Sequence, residues 1–441
     1  MNERVLVWAA LAQCLGLLVG CSDASSNPGA EPGAAVESAL STARFYTPPP
    51  RTEALAQIAG LLREHRPADA SRLKAMLAVP HATWLVGGTP AEVKKQVRKT
   101  VDAANCERAL PIFVAYNIPF RDCSAYSAGG ALDSSAYAEW IEGVAKGIGR
   151  AKALVVLEPD GLGIIPNNTT IYGVQEWCKV SQTDENGNVI YDDAGNPVPL
   201  PGANPSERYA QLKAALATLQ SLAPNAQVYL DATHSGWLGV GDAAYRLVQA
   251  GVQNAKGFFL NTSNYELTEN NVTFGGWVSS CIAAGTLGPD WAQGHFDWCP
   301  SQYNPALGYQ LDYSPEYAAS VDSGLAGLMG DAVASIPFVI DTSRNGQGPW
   351  TPSASYPDAQ SWCNPPHRGV GLRTTAATGN PLVDAYLWVK VPGESDGSCT
   401  RGIADATIDP EWGIVDPAAG AWFPEQALEL AQLANPPLSR R

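Results

Sequence analysis

Charge is scarce in this 441-residue chain, where Asp, Glu, Lys and Arg together make up only 16% of residues. Acidic residues outnumber basic ones by 43 to 28, a net charge of −15, which excludes a basic nucleic-acid-binding surface as the protein's main business. Histidine is sparse too: His65, His81, His234, His295 and His367 include no pair at zinc-site spacing, and no Cys-x-x-Cys occurs. A phosphate loop ending in Lys-Ser or Lys-Thr is missing, and Ser124 beside Asp122 is not read as a nucleophile. No metal and no cofactor is expected. What the chain has instead is 13 Trp, 42 Gly and 34 Pro in a 45% hydrophobic composition. That excludes a disordered chain and points to many shaped loops. Length alone suggests about three domains of ~150 residues, ample for a buried core. Neutral, Trp-rich loops suit a partner that is uncharged and flat.

One apolar run, Val5 to Val19, is shorter than the ~20 residues a bilayer span needs and has the length of a signal-peptide core. It ends in Leu18-Val19-Gly20-Cys21, which resembles the bacterial lipobox with Cys21 as the lipidated residue; an ordinary cleaved signal is the alternative. Residues 1–20 are thus expected to be a signal and 21–43 a flexible tether, since the latter show no apolar periodicity. Any membrane contact would run through that lipid alone. The product would be an exported bacterial protein, held at the cell envelope or secreted. With Cys14 removed and Cys21 lipidated, seven cysteines remain and at most three disulfides form.

From Pro48 onward short apolar runs alternate with amphipathic stretches. The runs are Thr83–Val86, Ile112–Ala115, Ala153–Leu157, Gln227–Leu230, Phe258–Leu260, Pro337–Ile340 and Ala385–Val389; among the helical stretches are Ala91–Ala104, Ser135–Ile148, Ser206–Leu222 and Asp242–Asn254. Unbroken apolar runs bounded by turn residues read as strands buried on both faces, and the alternation implies parallel pairing. Seven strands suit an open sheet or a barrel. Polar and aromatic segments follow nearly every strand, as at the catalytic face of barrels, so a barrel is favoured. Three long intervals, 161–205, 263–315 and 398–424, read as loops forming lids or walls. The first holds Asn186-Gly187 and Gly195-Asn196 and is expected to fold as a hairpin.

Asp122, Asp160, Asp231, Asp341, Glu394 and Asp396 all sit just beyond apolar strands. Carboxylates crowded into a half-buried pocket cannot all ionise freely, which supplies an acid and a base at neutral pH, as glycoside hydrolysis requires. Taken singly, each could equally be a loop or helix cap. Trp84, Trp237 and Trp362 lie at strand ends or in loops, where an indole offers a flat face to the C–H bonds of a pyranose. Core packing is the plainer reading for any one of them.

Six segments carry a more specific message: Tyr116-Asn-Ile-Pro-Phe-Arg-Asp-Cys123, Leu157-Glu-Pro-Asp-Gly161, Leu230-Asp-Ala-Thr-His-Ser-Gly-Trp237, Asn261-Thr-Ser-Asn-Tyr265, Trp362-Cys-Asn364 and Lys390-Val-Pro-Gly-Glu-Ser-Asp-Gly397. In that order, over about residues 44 to 436, they resemble glycoside hydrolase family 6, the cellobiohydrolases and endoglucanases. The resemblance implies an α/β fold, a distorted, incomplete parallel barrel of about seven strands with long loops at its C-terminal face, filling residues 44–441. It implies inverting hydrolysis of β-1,4-glucan, with cellulose and cello-oligosaccharides as partners and a monomeric enzyme.

By the same resemblance, Asp160 is the acid that protonates the leaving oxygen, and Asp122 keeps that acid protonated and helps move a proton from water. Asp396 is the carboxylate proposed as base, directly or through a water chain. Tyr116 presses on the distorted sugar. Trp84, Trp237 and Trp362 are stacking platforms; Lys390 and Glu394 bond sugar hydroxyls; His234, Arg344, Asp231 and Asn264 lie in matching substrate-binding segments. The family's serine falls about six residues past the aspartate of Arg-Asp-Cys, whereas Ser127 comes five past Asp122 and Ala128 six. An outer Trp platform found in some members is replaced by Leu238, Gly239 and Val240. The family's disulfides map onto Cys123–Cys178 and Cys363–Cys399, which would leave Cys281–Cys299 to pin the insertion and Cys106 outside the set. The long intervals resemble those of bacterial exo-acting members, above all at Ser398–Gly402 and Ile414–Pro424. A cellobiohydrolase releasing cellobiose from non-reducing ends is therefore expected, with an endoglucanase, or a surface lipoprotein that binds cellulose without cutting it, as alternatives.

Overall fold

The computed structural model describes Leu40 and residues 43–124 and 126–438, so the signal, the lipidation residue Cys21 and nearly all of the tether lie outside the described residues. Seven parallel strands form one curled sheet: β1 (Thr83–Leu85), β2 (Ile112–Ala115), β3 (Ala153–Leu157), β4 (Ala226–Asp231), β5 (Gly257–Leu260), β8 (Phe338–Asp341) and β9 (Val383–Leu387), hydrogen-bonded in that order. A two-stranded ribbon, β6 (Tyr303–Asn304) with β7 (Gln310–Leu311), lies apart. Strands β1 and β9 form the two edges and share no ladder, so the barrel is incomplete as expected. Two bonds still cross the seam: Ala82 N donates to Trp388 O at 2.9 Å and the Trp84 indole donates to Val389 O at 2.8 Å.

Alternate strand residues face two different cores, which is why these strands read as unbroken apolar runs. Ile112, Val114, Leu154, Val156, Phe259 and Val339 point into the barrel; Phe113, Val155, Leu157, Phe258 and Ile340 pack outward against the helices. Leu40, within the stretch read as tether, is buried in the interior cluster beside Phe45, so the packed body begins a few residues before the expected boundary.

Local signals set the helices α1 (Thr52–Arg63), α2 (Pro67–Leu77), α3 (Pro90–Cys106), α4 (Ser134–Ile148), α5 (Pro205–Leu222), α6 (Val240–Gln249), α7 (Thr268–Leu287), α8 (Pro315–Met329) and α9 (Pro424–Gln432). Thr89 and Glu92 form a reciprocal capping box at α3, with Pro90 at the first helical position. Asp133, Asn204 and Ser314 cap α4, α5 and α8.

The interval 263–315 is a correction. It is not a loop but contains the 20-residue helix α7. Buried positions occur on several sides of α7, including Phe274, Trp277, Val278, Cys281 and Ile282, so no single apolar stripe announces it. The 180–200 stretch forms three short antiparallel segments joined by two tight turns, in which Asp184 and Asp192 accept from the backbone of Asn188 and Asn196. The two disulfides implied by the resemblance, Cys123–Cys178 and Cys363–Cys399, form, and so does the remaining pair, Cys281–Cys299. Among the described residues no helix is long and apolar enough to cross a membrane.

Candidate active site

The C-terminal strand ends carry unusual backbone. Asp122 (φ 58°), Glu158 (54°), Asp160 (62°), Thr233 (60°), Asn261 (67°) and Ser263 (60°) are all left-handed without being glycine. Such conformations cost about 1–3 kcal/mol each and persist where surrounding structure imposes them. Of these, Asp122, Asp160 and Ser263, beyond β2, β3 and β5, line one cleft of about 1220 Å³.

Buried braces impose the turns. Glu158, fully buried, accepts from the backbone of Asn117 and Ile118 and ties β3 to the loop after β2. Burial pushes its pKa up to about 7. Arg208 of α5 reaches under the same turns, donating to Gly161 O, Ile164 O and Pro119 O at 2.8, 3.0 and 2.9 Å. Asp231 accepts from Leu162 N, Gly163 N and Thr233 N. Asp341 likewise accepts from Ser263 N, Ser343 N and Lys390 N. Asp231 and Asp341 do not line the cleft; they hold the loops that do.

Asp160 and Asp122 face the cleft together. Burial, followed by the charges of Asp231 and Asp122, raises the Asp160 pKa well above the carboxylate range. Burial raises Asp122 as well, opposed by a 2.7 Å bond from Ser127 N and by the Arg121 charge. Asp122 is therefore the more readily ionised of the pair, and Asp160 the one whose proton is held. Arg121 fixes this corner, lying 4.5 Å over the Tyr116 ring and donating to Tyr116 O and Ser127 O.

Asp396 is in the opposite state. Burial works against its charge, yet Arg344 and Lys390 outweigh it and draw the pKa below the usual value. Arg344 Nη1 and Asn364 N donate to Oδ2 at 2.8 and 3.0 Å, and Lys390 Nζ stands 3.2 Å from Oδ1. Asn364 is the hub of this wall: its side chain also bonds Asp396 N, Gly397 O and Asp416. Arg344 does not line the cleft; it acts on it through Asp396.

Aromatic faces flank these acids. Trp84 meets Tyr116 edge-on at 5.6 Å, and Trp362 lies 5.7 Å from Tyr126 across the seam end of the cleft. Trp237 and His234 sit at the β4 end, rings 5.7 Å apart. Gly236 N donates to His234 Nδ1 at 3.1 Å, and burial lowers the imidazole pKa to about 4. A neutral ring accepting at Nδ1 carries its proton on Nε2, leaving that N–H as a donor for a ligand.

These features meet in known proteins. The sequence profile described as glycosyl hydrolases family 6 matches residues 40–434. The chain belongs to that family.

Endoglucanase 1 from Streptomyces halstedii is 32% identical over 363 residues, 82% of this chain and 81% of the relative. Endoglucanase A from Thermobispora bispora is 30% identical over 82% of this chain, which spans 56% of that longer relative. Among solved structures, an endoglucanase from Mycobacterium tuberculosis in complex with methyl-cellobiosyl-4-deoxy-4-thio-β-D-cellobioside has a TM-score of 0.59 at 28% identity, over 90% of this chain and 99% of that one. The catalytic core of a cellobiohydrolase from Chaetomium thermophilum shares the fold, with a TM-score of 0.57 at 24% identity over 91% and 100% of the two chains.

Of the residues the family resemblance singles out, Trp84, Tyr116, Asp122, Ser127, Asp160, His234, Trp237, Asn264, Trp362, Lys390, Glu394 and Asp396 all line the cleft. Sequence reasoning missed several partners. Arg51 donates to Glu394 at 2.8 Å and to Gly420 O at 2.7 Å, from just before α1. Glu158 and Asn364 lie inside the quoted motifs but had been given no role of their own. A pattern was also overlooked: Gly393-Glu394-Ser395-Asp396-Gly397 spells G-x-S-x-G. Ser395 is buried and donates to Pro417 O at 2.7 Å, so it offers no nucleophile.

Proposed function

We propose that this member of the family is a cellulase that hydrolyses β-1,4-glucosidic bonds with inversion. The observation that carries the reading is the raised Asp160 beside the more readily ionised Asp122 in a cleft flanked by Trp84, Trp237 and Trp362. Indoles stack on the apolar faces of a glucan chain, His234 Nε2–H and Lys390 bond its hydroxyls, and Tyr116 presses on the unit at the cleavage point. Asp160 donates its proton to the glycosidic oxygen as the C–O bond breaks, while water attacks the opposite face. Asp396, whose Oδ2 already accepts from Arg344 and Asn364 N and whose pKa is lowered, is a poor proton acceptor. It serves as a fixed anion facing the cationic transition state, and the water's proton leaves through a relay past Ser127 and Asp122.

Exo action is the finer reading. Tyr126, from the loop after β2, bonds Gln360 of the β8–β9 connection at 3.2 Å, joining two cleft walls at the Trp362 end. The wall there is built mainly from residues 349–362, of which the sequence reading singled out only Trp362; the intervals 161–205, 263–315 and 398–424 each contribute only a few lining residues. An enclosed end of this kind suits cleavage from a chain end with release of cellobiose. The alternative, an endoglucanase, has support in the names of the bacterial relatives. Measuring soluble against insoluble reducing ends from filter paper separates them: mostly soluble ends support exo action, and mostly insoluble ends overturn it. The lipobox-like Cys21 supports an exported enzyme at the cell envelope.

A further inference from the structure

Glu266 lines the cleft, yet its carboxylate makes no hydrogen bond or ion pair with any described residue. Its backbone is the reverse, clamped from both sides. Asn261 Oδ1 accepts from Glu266 N at 3.1 Å, and the side-chain amides of Asn261, Asn271 and Asn345 all donate to Glu266 O at 3.3, 3.2 and 2.9 Å. Those three asparagines are buried. A carboxylate without a protein partner thus stands on a fixed mount.

Its position is equally specific. A Cβ added to Gly236 would lie 3.1 Å from Glu266 Oε1, closer than side chains normally approach. Gly236 does not have a positive φ, so the space above it, rather than backbone freedom, is what the glycine supplies. Gly236 directly precedes Trp237 along the chain, and His234, Gly236, Trp237 and Glu266 all line the cleft. Tyr313 and Tyr303 anchor the same segment, donating to Ser235 O and Trp237 O at 2.7 and 2.6 Å.

Resting on the reading of Trp237 as a sugar platform, we propose that Glu266 is a substrate-binding residue that accepts hydrogen bonds from the hydroxyls of the glucosyl unit stacked on Trp237. In a β-linked glucosyl unit the hydroxyls radiate from the ring edge, so an indole covering the face leaves them for an acceptor beside it. A carboxylate has two oxygens and can take two neighbouring hydroxyls at once. Half-burial disfavours its charge, and hydroxyls of a bound sugar would supply donors to it.

The test is calorimetric titration of cellotetraose into Asp160→Ala, Asp160→Ala/Glu266→Ala and Asp160→Ala/Glu266→Gln, with thermal unfolding of each. Loss of Glu266 to Ala weakens binding about tenfold, the scale of one hydrogen bond to a charged acceptor, and Gln recovers part of it through its carbonyl. The unfolding midpoints stay together. Equal affinities in all three proteins, or a loss that follows a lowered midpoint, overturn the assignment. Failure of the intact enzyme to cut cellulose while these affinities still differ would sink the hydrolytic reading and leave this one standing.

Discussion

Arg344, buried behind the cleft wall, donates from Nη1 to Oδ2 of Asp396 at 2.8 Å. With Lys390 Nζ 3.2 Å from the other oxygen, the contact holds Asp396 as an anion. On the proposed reading, a carboxylate so placed orients and stabilises rather than abstracts.

A chemical rescue distinguishes these roles. Asp396→Ala is expected to lose about a hundredfold or more in kcat, the usual scale for a residue of this kind. Azide replaces a missing general base by attacking the anomeric carbon itself. If Asp396 only holds charge and geometry, azide restores no turnover and yields no glycosyl azide; recovery of turnover with azide would assign it as the direct base.

The pH profile of kcat tests the acid pair. Besides burial, the negative charges of Asp231 and Asp122 raise the pKa of Asp160. Removing one of them in Asp122→Asn lowers that pKa, so Asp160 deprotonates earlier and the alkaline limb moves to lower pH by about one unit. An unmoved limb in the residual activity would show that Asp122 does not set the protonation of Asp160.

Stability should depend on pH through Asp416. Burial and the nearby charge of Asp409, against a 2.8 Å bond from Asn364, raise its pKa to about 7 from an ordinary value near 3.8. A folded-state pKa raised in this way gives stability that is fully present below the unfolded value and lost as pH rises through about 7. Glu158, raised to about 7, acts in the same direction. The thermal midpoint is therefore expected to fall between pH 5 and pH 8, and Asp416→Asn, which keeps the acceptor and cannot ionise, is expected to flatten that fall. Equal slopes in the two proteins would exclude Asp416 as a source.

The Cys363–Cys399 bridge closes a 36-residue separation directly beside Asn364, the hub that holds Asp396. A loop of that length corresponds to about 4 kcal/mol in the chain-entropy account. The double Ser variant is expected to lower the unfolding free energy by about that much in denaturant titration. It should also reduce kcat more than would the equivalent change at Cys281–Cys299, which pins the end of α7 away from the cleft.

The sequence made some of this legible and hid the rest for physical reasons. Strands buried on both faces leave unbroken apolar runs, so the seven were found and only their ends moved. At β9 the run continues to Val389, but pairing with β8 stops at Leu387 and Trp388 N bonds Thr374 instead. Helix α7 was invisible because burial on several sides removes the periodicity by which a surface helix is recognised. The cleft-lining acids and indoles were legible because chemistry and motif coincide in them. Glu158, Arg208, Arg51 and Glu266 were not, since their value lies in contacts between distant segments. Arg51 and Glu394, for instance, are 343 residues apart along the chain.

The most direct measurement is release of reducing sugar from acid-swollen cellulose by the intact enzyme and by Asp160→Ala, with cello-oligosaccharide binding followed in parallel. Asp160 as the acid of an inverting cellulase predicts release by the intact enzyme, a loss of about a hundredfold or more in the variant, and largely retained binding. Undiminished release by Asp160→Ala, or none by the intact enzyme, would contradict it.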